Sequence, residues 1–273
     1  MEMETESNAK KILISIPIAP YIRIEQELVT WLIKNIVHYN FQHPGRYKIS
    51  YDFVEGKPIS SVRNHAINRF MASEHDFVLT VDSDIVPPEN CIDELMKWNL
   101  PIVGALCFSF QYGHPFPVIL NKTDGGYSVI KNIGKIRLQE CKATGASCLL
   151  IKREVIVKMK EQLLKETKKT MFYESKFNEQ GEISCGQDFV FCDNAEKVGY
   201  KIYVDTGLHC DHKVDRVSLK RVNDLLVEQS KSNESAINKL QSTIGELNKS
   251  LSEERAKNNG KSRDTRKQEF TKV

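Results

Sequence analysis

The sequence predicts an α/β fold, an open and mostly parallel sheet flanked by helices, followed by a C-terminal helical extension. Between Lys11 and Val204, apolar runs of strand length alternate with amphipathic stretches of helix length, which favours right-handed crossover connections. After Val222, polar residues dominate and the apolar residues keep helical spacing. We therefore expect a polar tail (1–10), a sheet domain (11–221), a helical or coiled-coil extension (222–257) and a basic disordered tail (258–273).

Each element is predicted from its local pattern. Strands are expected where apolar, β-branched residues run together: Lys11–Ile16, Tyr47–Val54, Phe77–Val81, Ile102–Phe108, Ser147–Ile151 and Lys201–Val204. Helices are expected where apolar residues recur at helical spacing: Glu25–Tyr39, Ser60–Ser73, Glu89–Trp98, Arg153–Lys165 and Gln187–Val198. We expect Pro17 to end the first strand and Ser60 or Ser61 to cap the second helix. Gly125-Gly126 predicts a hairpin between short strands.

The composition is that of an ordinary soluble globular protein. The chain has 273 residues, of which 40% are hydrophobic and 27% charged, and its net charge of +3 is too small to indicate nucleic acid or membrane binding by itself. Its longest apolar stretches, Ile12–Ile22 and Leu100–Phe110, are too short to span a bilayer. The polar residues 1–10 show no secretory signal, and the seven scattered cysteines favour reduced thiols. We therefore expect a cytoplasmic protein without a membrane span.

The most informative motif is Asp82-Ser83-Asp84, which directly follows the apolar run Phe77–Val81. Strand geometry sends Asp82 and Asp84 to the same side of the chain, at the carboxyl end of a central strand, where open α/β sheets bind ligands. Two neighbouring carboxylates repel each other unless a cation lies between them, so the motif is typical of a divalent metal that also holds a diphosphate. The alternative is that the motif opens a turn, or that Asp84 caps the helix near Glu89.

Three further segments carry polar or small residues where the chain enters or leaves an element. The small-residue segment 143–147 is either a loop that lets a ligand approach the backbone or a plain tight turn. Gly186-Gln187-Asp188 opens a helix, where Asp188 is either catalytic or a helix cap. The segment 209–212, His-Cys-Asp-His, follows the last predicted strand, and a histidine there could complete a metal site begun by Asp84. A histidine with ordinary loop contacts is the alternative.

In their order along the chain, these segments resemble the nucleotide-sugar glycosyltransferases of the GT-A fold, near the inverting family 2, over roughly Lys11–Val214. The resemblance implies a divalent metal, Mn²⁺ or Mg²⁺, held by Asp84 and completed by His212. It also implies that Asp82 reaches the nucleotide ribose or a water on the metal, so we include Asp82 among the expected metal residues.

The same resemblance implies a catalytic base at Asp188. Gln187 stands where that family usually has Glu, and an amide there can still hydrogen-bond an acceptor hydroxyl. Contacts to the nucleotide sugar are expected at Pro17, Arg63, Asp82, Ser83, Gly145 and Ala146.

The activity implied by the resemblance is metal-dependent transfer of a sugar from a nucleoside-diphosphate sugar to an acceptor hydroxyl, with inversion. The acceptor stays open between a glycan, a protein, a small molecule and a modified base in DNA; Lys and Arg outnumber Asp and Glu in residues 220–273. A nucleotidyltransferase is a second hypothesis, although residues 15–20 lack the glycine-rich loop usual in those enzymes. A non-catalytic interaction protein with a degenerate domain is a third, because of Gln187.

The C-terminal extension carries a short coiled-coil pattern. Apolar residues repeat there at alternating spacings of three and four: Ile237, Leu240, Ile244, Leu247 and Leu251. The pattern has mostly Ile at one core position and Leu at the other, which favours a parallel pair of helices, although Gly245 interrupts the helix. A homo-oligomer formed through this helix and a solvated helix that docks elsewhere both remain open.

Overall fold

The computed structural model describes residues 9–19, 23–111, 114–131, 133–214 and 217–218, together with scattered residues between 227 and 249. The chain divides into two compact units, Met1–Val222 and Asn223–Val273. The described residues of the second unit are helical, and Ile237 is half exposed. The other residues of the predicted seam (240, 244, 247 and 251) and the predicted tail (258–273) lie outside the described residues.

The first unit contains helices and short strands in alternation. The helices are α1 (Gln26–Val37), α2 (Ile59–Ala72), α3 (Cys91–Lys97), α4 (Arg153–Thr167) and α5 (Gln187–Lys197), and a π-helical turn (His38–Gln42) follows α1. The strands are β1 (Lys10–Ile18), β2 (Tyr47–Glu55), β3 (Phe77–Val81), β4 (Ile85–Val86), β5 (Ile102–Leu106), β6 (Phe108–Gln111), β7 (His114–Pro117), β8 (Ile119–Thr123), β9 (Gly126–Val129), β10 (Leu138–Cys141), β11 (Ala143–Thr144), β12 (Cys148–Lys152), β13 (Lys176–Phe177), β14 (Ile183–Cys185), β15 (Ile202–His209), β16 (Asp211–Val214) and β17 (Val217–Ser218).

The centre of this unit is a seven-stranded sheet in the order β10-β15-β5-β12-β3-β1-β2. Strands β10 and β12 run against the others, which are parallel to one another. The predicted α/β fold with a mostly parallel sheet is therefore confirmed, and the architecture is compatible with the GT-A fold. The predicted hairpin is also present, because β8 and β9 pair antiparallel around Gly125 and Gly126.

Both faces of the central sheet are buried, which explains why its central strands are apolar at successive positions. In β1, Leu13 belongs to one hydrophobic cluster, and its neighbours Ile12 and Ile14 belong to the other. Residues of α2, α4 and α5 cover the first cluster, and residues of α1 and α3 cover the second. Within the described residues, no helix is long and apolar enough to cross a membrane.

The prediction that Pro17 ends the first strand is wrong. Pro17 pairs with Val54 of β2, and β1 continues to Ile18. The pairing of β1 with its other neighbour, β3, stops at Ser15. Because Pro17 lies beyond that last pair, its missing N–H interrupts no hydrogen bond of the β1–β3 ladder.

The predicted helix caps are also wrong. Helix α2 begins after Pro58, whose carbonyl accepts from the backbone N–H of Ser61 at 2.9 Å, so Ser60 and Ser61 lie inside the first turn. Helix α3 begins at Cys91 with Asn90 at its N-cap. Asp84 therefore does not cap that helix, because β4 separates the two.

The last strand of the sheet extends further than predicted, to His209. Asp205 is polar and suggests an end to the strand, but its buried carboxylate accepts hydrogen bonds from Arg137 at 3.1 Å and Trp98 at 2.9 Å. His209 therefore ends β15 instead of following it. His212 lies in β16, directly opposite Ile85 of β4.

Candidate active site

The acidic motif forms a turn at the carboxyl end of β3. The strand stops at Val81, and the backbone N–H of Ile85 donates to the carbonyl of Asp82 at 3.0 Å. The backbone N–H of Asp82 donates to the carbonyl of Ser147 at 3.0 Å, which joins the motif to the small-residue segment. Because residues 82–84 are a turn, the strand alternation that predicted two carboxylates on one side does not apply. Asp82 and Asp84 have different side-chain partners.

Arg63 joins Asp82 to Asp188. Its Nη2 donates to both carboxylate oxygens of Asp82, each at 2.8 Å, and its Nη1 donates to Oδ1 of Asp188. Arg63 lies on the buried face of α2 and is 6% exposed, whereas the two carboxylates keep about a fifth of their side-chain surface exposed. These three groups come from different parts of the sequence, and the charge-assisted hydrogen bonds hold them in one cluster.

Asp188 is the second residue of α5, in its first turn and two positions after the N-cap residue Gly186. Burial raises the pKa of its carboxyl group above the ordinary value, and this effect exceeds the opposing effect of the Arg63 charge. The negative charge of Asp82 also raises this pKa, and a backbone hydrogen bond with Ala146 lowers it. A carboxylate with a raised pKa accepts a proton more readily, which suits a general base.

Asp84 faces His212, and this pair is separate from the arginine cluster. Nε2 of His212 lies 3.3 Å from Oδ2 of Asp84, and Nδ1 lies 2.6 Å from the carbonyl oxygen of Phe108. A carbonyl only accepts, so Nδ1 carries a hydrogen, and a neutral His212 then turns the lone pair of Nε2 toward Asp84. Burial lowers the pKa of His212, but the hydrogen bonds with Asp84 and Phe108 outweigh burial and leave this pKa raised.

The Asp84–His212 pair fits the divalent metal that the resemblance implies. Two facing acceptor atoms need a proton or a cation between them, and a carboxylate oxygen with an imidazole nitrogen is a donor set that first-row divalent ions accept. Within the described residues, no three His, Cys, Asp or Glu side chains meet in a metal-binding geometry. A cation here therefore needs further ligands from a substrate or from water.

The structure brings most of the other predicted residues to the same edge of the sheet. Ser83 is buried, and its carbonyl accepts from the backbone N–H of Glu25 just before α1, at 3.1 Å. The carbonyl of Ala146 accepts from the hydroxyl of Thr80 in β3 at 2.6 Å. At Gly145 a Cβ atom would lie 3.3 Å from the Ser147 hydroxyl, so a side chain there would require a small shift of Ser147.

Two predicted residues stand apart from these contacts. Pro17 is buried in β1 and pairs with β2, on the side of β1 away from β3. Gln187 is the first residue of α5, and its Oε1 is buried without a hydrogen-bond partner among the described residues.

Two residues of the site have no motif in the sequence, Asn64 and Tyr173. Oδ1 of Asn64 accepts from the backbone N–H groups of Phe172 at 2.7 Å and Tyr173 at 3.1 Å, and its Nδ2 donates to the Tyr173 carbonyl at 2.7 Å. The one available signal is an asparagine beside Arg63 on a helix face that is otherwise mostly apolar. Nothing local marks Tyr173, which lies in an irregular segment.

Comparison with known proteins gives no family. No family model matches the chain, and no curated protein matches its sequence. Among solved structures it is similar to A197 from STIV, with a TM-score of 0.47 and 17% identity over 76% of this chain and 87% of that chain. It is also similar to GalNAc-T7 with UDP, GalNAc and Mn²⁺, with a TM-score of 0.41 and 10% identity over 75% of this chain and 44% of that chain. The second match spans under half of the GalNAc-T7 chain, and neither indicates what this protein does.

Proposed function

We propose that the protein is a metal-dependent glycosyltransferase, which moves a sugar from a nucleoside-diphosphate sugar to an acceptor hydroxyl with inversion at the anomeric carbon. The observation that carries this proposal is the presence of two groups of polar residues at the carboxyl edge of the sheet. One is the Arg63–Asp82–Asp188 cluster, and the other is the Asp84–His212 pair. Ligands of open α/β sheets bind at this edge.

The donor half of the site is assigned to the Asp84–His212 pair and the acidic turn. Asp84 and His212 would hold Mn²⁺ or Mg²⁺, which neutralises the charge that develops on the departing nucleoside diphosphate. We assign contact with the nucleotide ribose to Asp82, whose two oxygens accept hydrogen bonds from Arg63. A role for Asp82 as a metal ligand would require it to give up hydrogen bonds from Arg63.

The acceptor half is assigned to the start of α5. Asp188 takes the proton of the acceptor hydroxyl while the acceptor oxygen forms its bond to the anomeric carbon and the bond to the diphosphate oxygen breaks. Attack from the face opposite the diphosphate inverts the configuration. The Oε1 atom of Gln187 is buried and has no hydrogen-bond partner among the residues that the structure describes, so it is suited to accept a hydrogen bond from a hydroxyl of the acceptor. This supports a binding role for the amide at that position.

The acceptor is left open between a glycan, a protein, a small molecule and a modified DNA base. Oligomerisation through the C-terminal helix also remains a proposal, because that segment lies largely outside the described residues.

The direct test is release of nucleoside diphosphate from a panel of nucleotide sugars, with Mn²⁺ and with a chelator. We expect slow, metal-dependent release from one donor without acceptor, because water can replace the acceptor. No release from any donor, with intact folded protein, would favour the non-catalytic hypothesis.

A further inference from the structure

Buried polar atoms without a partner collect at the candidate site. Within the described residues, the buried side-chain nitrogen and oxygen atoms that lack a hydrogen bond include Nε of Arg63, the hydroxyl of Tyr173 and Oε1 of Gln187. Such atoms are rare in native proteins because each one loses its hydrogen bonds to water and gains nothing in return. Their concentration beside Asp188 therefore calls for an explanation in terms of the site.

The hydroxyl of Tyr173 is the most enclosed of these groups, because Tyr173 is 0% exposed. Its ring stacks on Phe191, with centroids 4.7 Å apart and an interplanar angle of 10°. The Asn64 side chain fixes its backbone through the hydrogen bonds described above. Contacts with neighbouring residues therefore hold both the ring and the backbone of Tyr173.

Tyr173 also lies against the charged cluster. The guanidinium carbon of Arg63 is 5.9 Å from the centre of the Tyr173 ring, within the range of a cation–π contact. Burial raises the pKa of Tyr173 far above the ordinary value, the Arg63 charge opposes this, and the charges of Asp188 and Asp82 add to it. The hydroxyl therefore stays protonated, within electrostatic reach of all three charged groups.

We infer that Tyr173 is a positioning residue of the site. Its ring holds the guanidinium of Arg63. When Arg63 and Asp188 separate on substrate binding, its hydroxyl forms a hydrogen bond with a group that this separation has left without a partner. The inference rests on the proposed function, because Asp188 is ion-paired to Arg63 in this structure and must free an oxygen to receive a proton from the acceptor. A buried hydroxyl within electrostatic reach of both groups can accept a hydrogen bond from the freed N–H of Arg63 or donate one to Asp188, so that the exchange leaves no charged group without a partner.

The first test is thermal stability without substrate, and it is independent of the activity. Tyr173→Phe removes only the hydroxyl, so we expect an unchanged or higher melting temperature. Tyr127→Phe is the matched control, because the Tyr127 hydroxyl has a partner, Asp193, at 2.5 Å, and its loss should lower the melting temperature. A fall for Tyr173→Phe as large as that of the control would show that the hydroxyl is already partnered, and would overturn the inference.

The second test is turnover of the active nucleotide sugar with Mn²⁺. For Tyr173→Phe we expect kcat to fall by roughly tenfold, the effect of losing one hydrogen bond to a charged group, while the donor KM stays within about twofold of wild type. Tyr173→Leu, which also removes the ring, should in addition raise the donor KM because Arg63 is no longer held.

The outcomes separate the two proposals. If the wild-type protein turns over a nucleotide sugar and Tyr173→Phe has the same kcat, the inference is overturned and the proposed function stands. Failure of the wild-type protein to bind or turn over any nucleotide sugar would overturn the proposed function and the substrate-dependent half of the inference. The stability comparison would still decide whether the hydroxyl is partnered in the free protein.

Discussion

Arg63 of α2 binds Asp82 with a single nitrogen, Nη2, which lies 2.8 Å from both carboxylate oxygens. This leaves Nη1 for Asp188, so one cation serves a carboxylate at the end of β3 and another at the start of α5. The two carboxylates repel each other, and the arginine keeps them together in a partly buried space. The cluster therefore depends on a planar group with several donors, which lysine does not supply.

We predict that Arg63→Met is strongly destabilising. Removing the cation leaves two neighbouring carboxylates unpaired, and we expect a loss of about 2–3 kcal/mol, near the low end for broken buried pairs because both carboxylates keep some solvent contact. Arg69→Met in the same helix is the matched control, since Arg69 forms an exposed ion pair with Asp52 and should cost at most about 1 kcal/mol. Urea unfolding measures both variants, and equal losses would contradict the central role of Arg63.

The Asp84–His212 pair is predicted to carry the metal dependence. Asp84→Asn and His212→Ala should each weaken Mn²⁺-dependent nucleotide binding at least about tenfold, or about 1.4 kcal/mol. His209→Ala is the control from the same segment, because Nε2 of His209 lies 2.7 Å from the Thr206 carbonyl and not beside Asp84. Titration calorimetry with and without Mn²⁺ distinguishes these outcomes. Undiminished binding by either site variant would remove that residue from the metal site.

Asp188→Asn is predicted to abolish transfer while leaving donor binding largely intact. The amide cannot take the acceptor proton, so we expect kcat to fall about 10²–10⁴-fold. Asp193→Asn lies on the same helix and is a matched control, since Asp193 pairs with Lys122 at 2.7 Å and should affect stability more than turnover. Near-normal turnover by Asp188→Asn would exclude this residue as the base.

His75 is predicted to make the fold less stable as the pH falls through about 6.5, the ordinary pKa of histidine. Burial lowers the pKa of His75, and the charges of Arg153 and Lys11 lower it further. The unfolded chain then binds a proton before the folded protein does, which favours unfolding by at most about 1.4 kcal/mol per pH unit. The raised pKa of His212 acts in the opposite direction, so the comparison must isolate His75.

The isolating comparison is the free energy of unfolding of His75→Asn relative to wild type between pH 7.5 and pH 5.5, about one unit either side of that value. The variant should gain stability relative to wild type as the pH falls. His65→Asn, at an exposed position of α2, serves as the control. A constant difference between His75→Asn and wild type would contradict the prediction.

The elements with strong local patterns were predictable from the sequence. The strand Phe77–Val81 was predicted with its observed bounds, and α2 and α5 were each predicted to within a residue at either end, because apolar spacing reports directly on burial. The turn at Asp82–Asp84 was not predictable in the same way. A turn and a strand end share the same residue types there, and the choice is set by the pairing of β4 with β16, whose residues lie far away in the sequence.

The contacts of the site depend on such long-range pairings. The resemblance identified Arg63, Asp84, Asp188 and His212 as candidates, but no local pattern predicts that Arg63 reaches Asp188, which lies 125 residues further along the chain. Tyr173 was missed for the same reason. It lies in an irregular segment, and its position is set by a stacked ring in α5 and an asparagine in α2.

The measurement that tests the central claim most directly is the thermal stability of the protein with a panel of nucleoside diphosphates, each with Mn²⁺ and with a chelator. We predict that one nucleotide raises the melting temperature only in the presence of Mn²⁺, because it supplies the ligands that Asp84 and His212 lack, and that Asp84→Asn abolishes this shift. No shift with any nucleotide, or the same shift in chelator and in Asp84→Asn, would contradict the account.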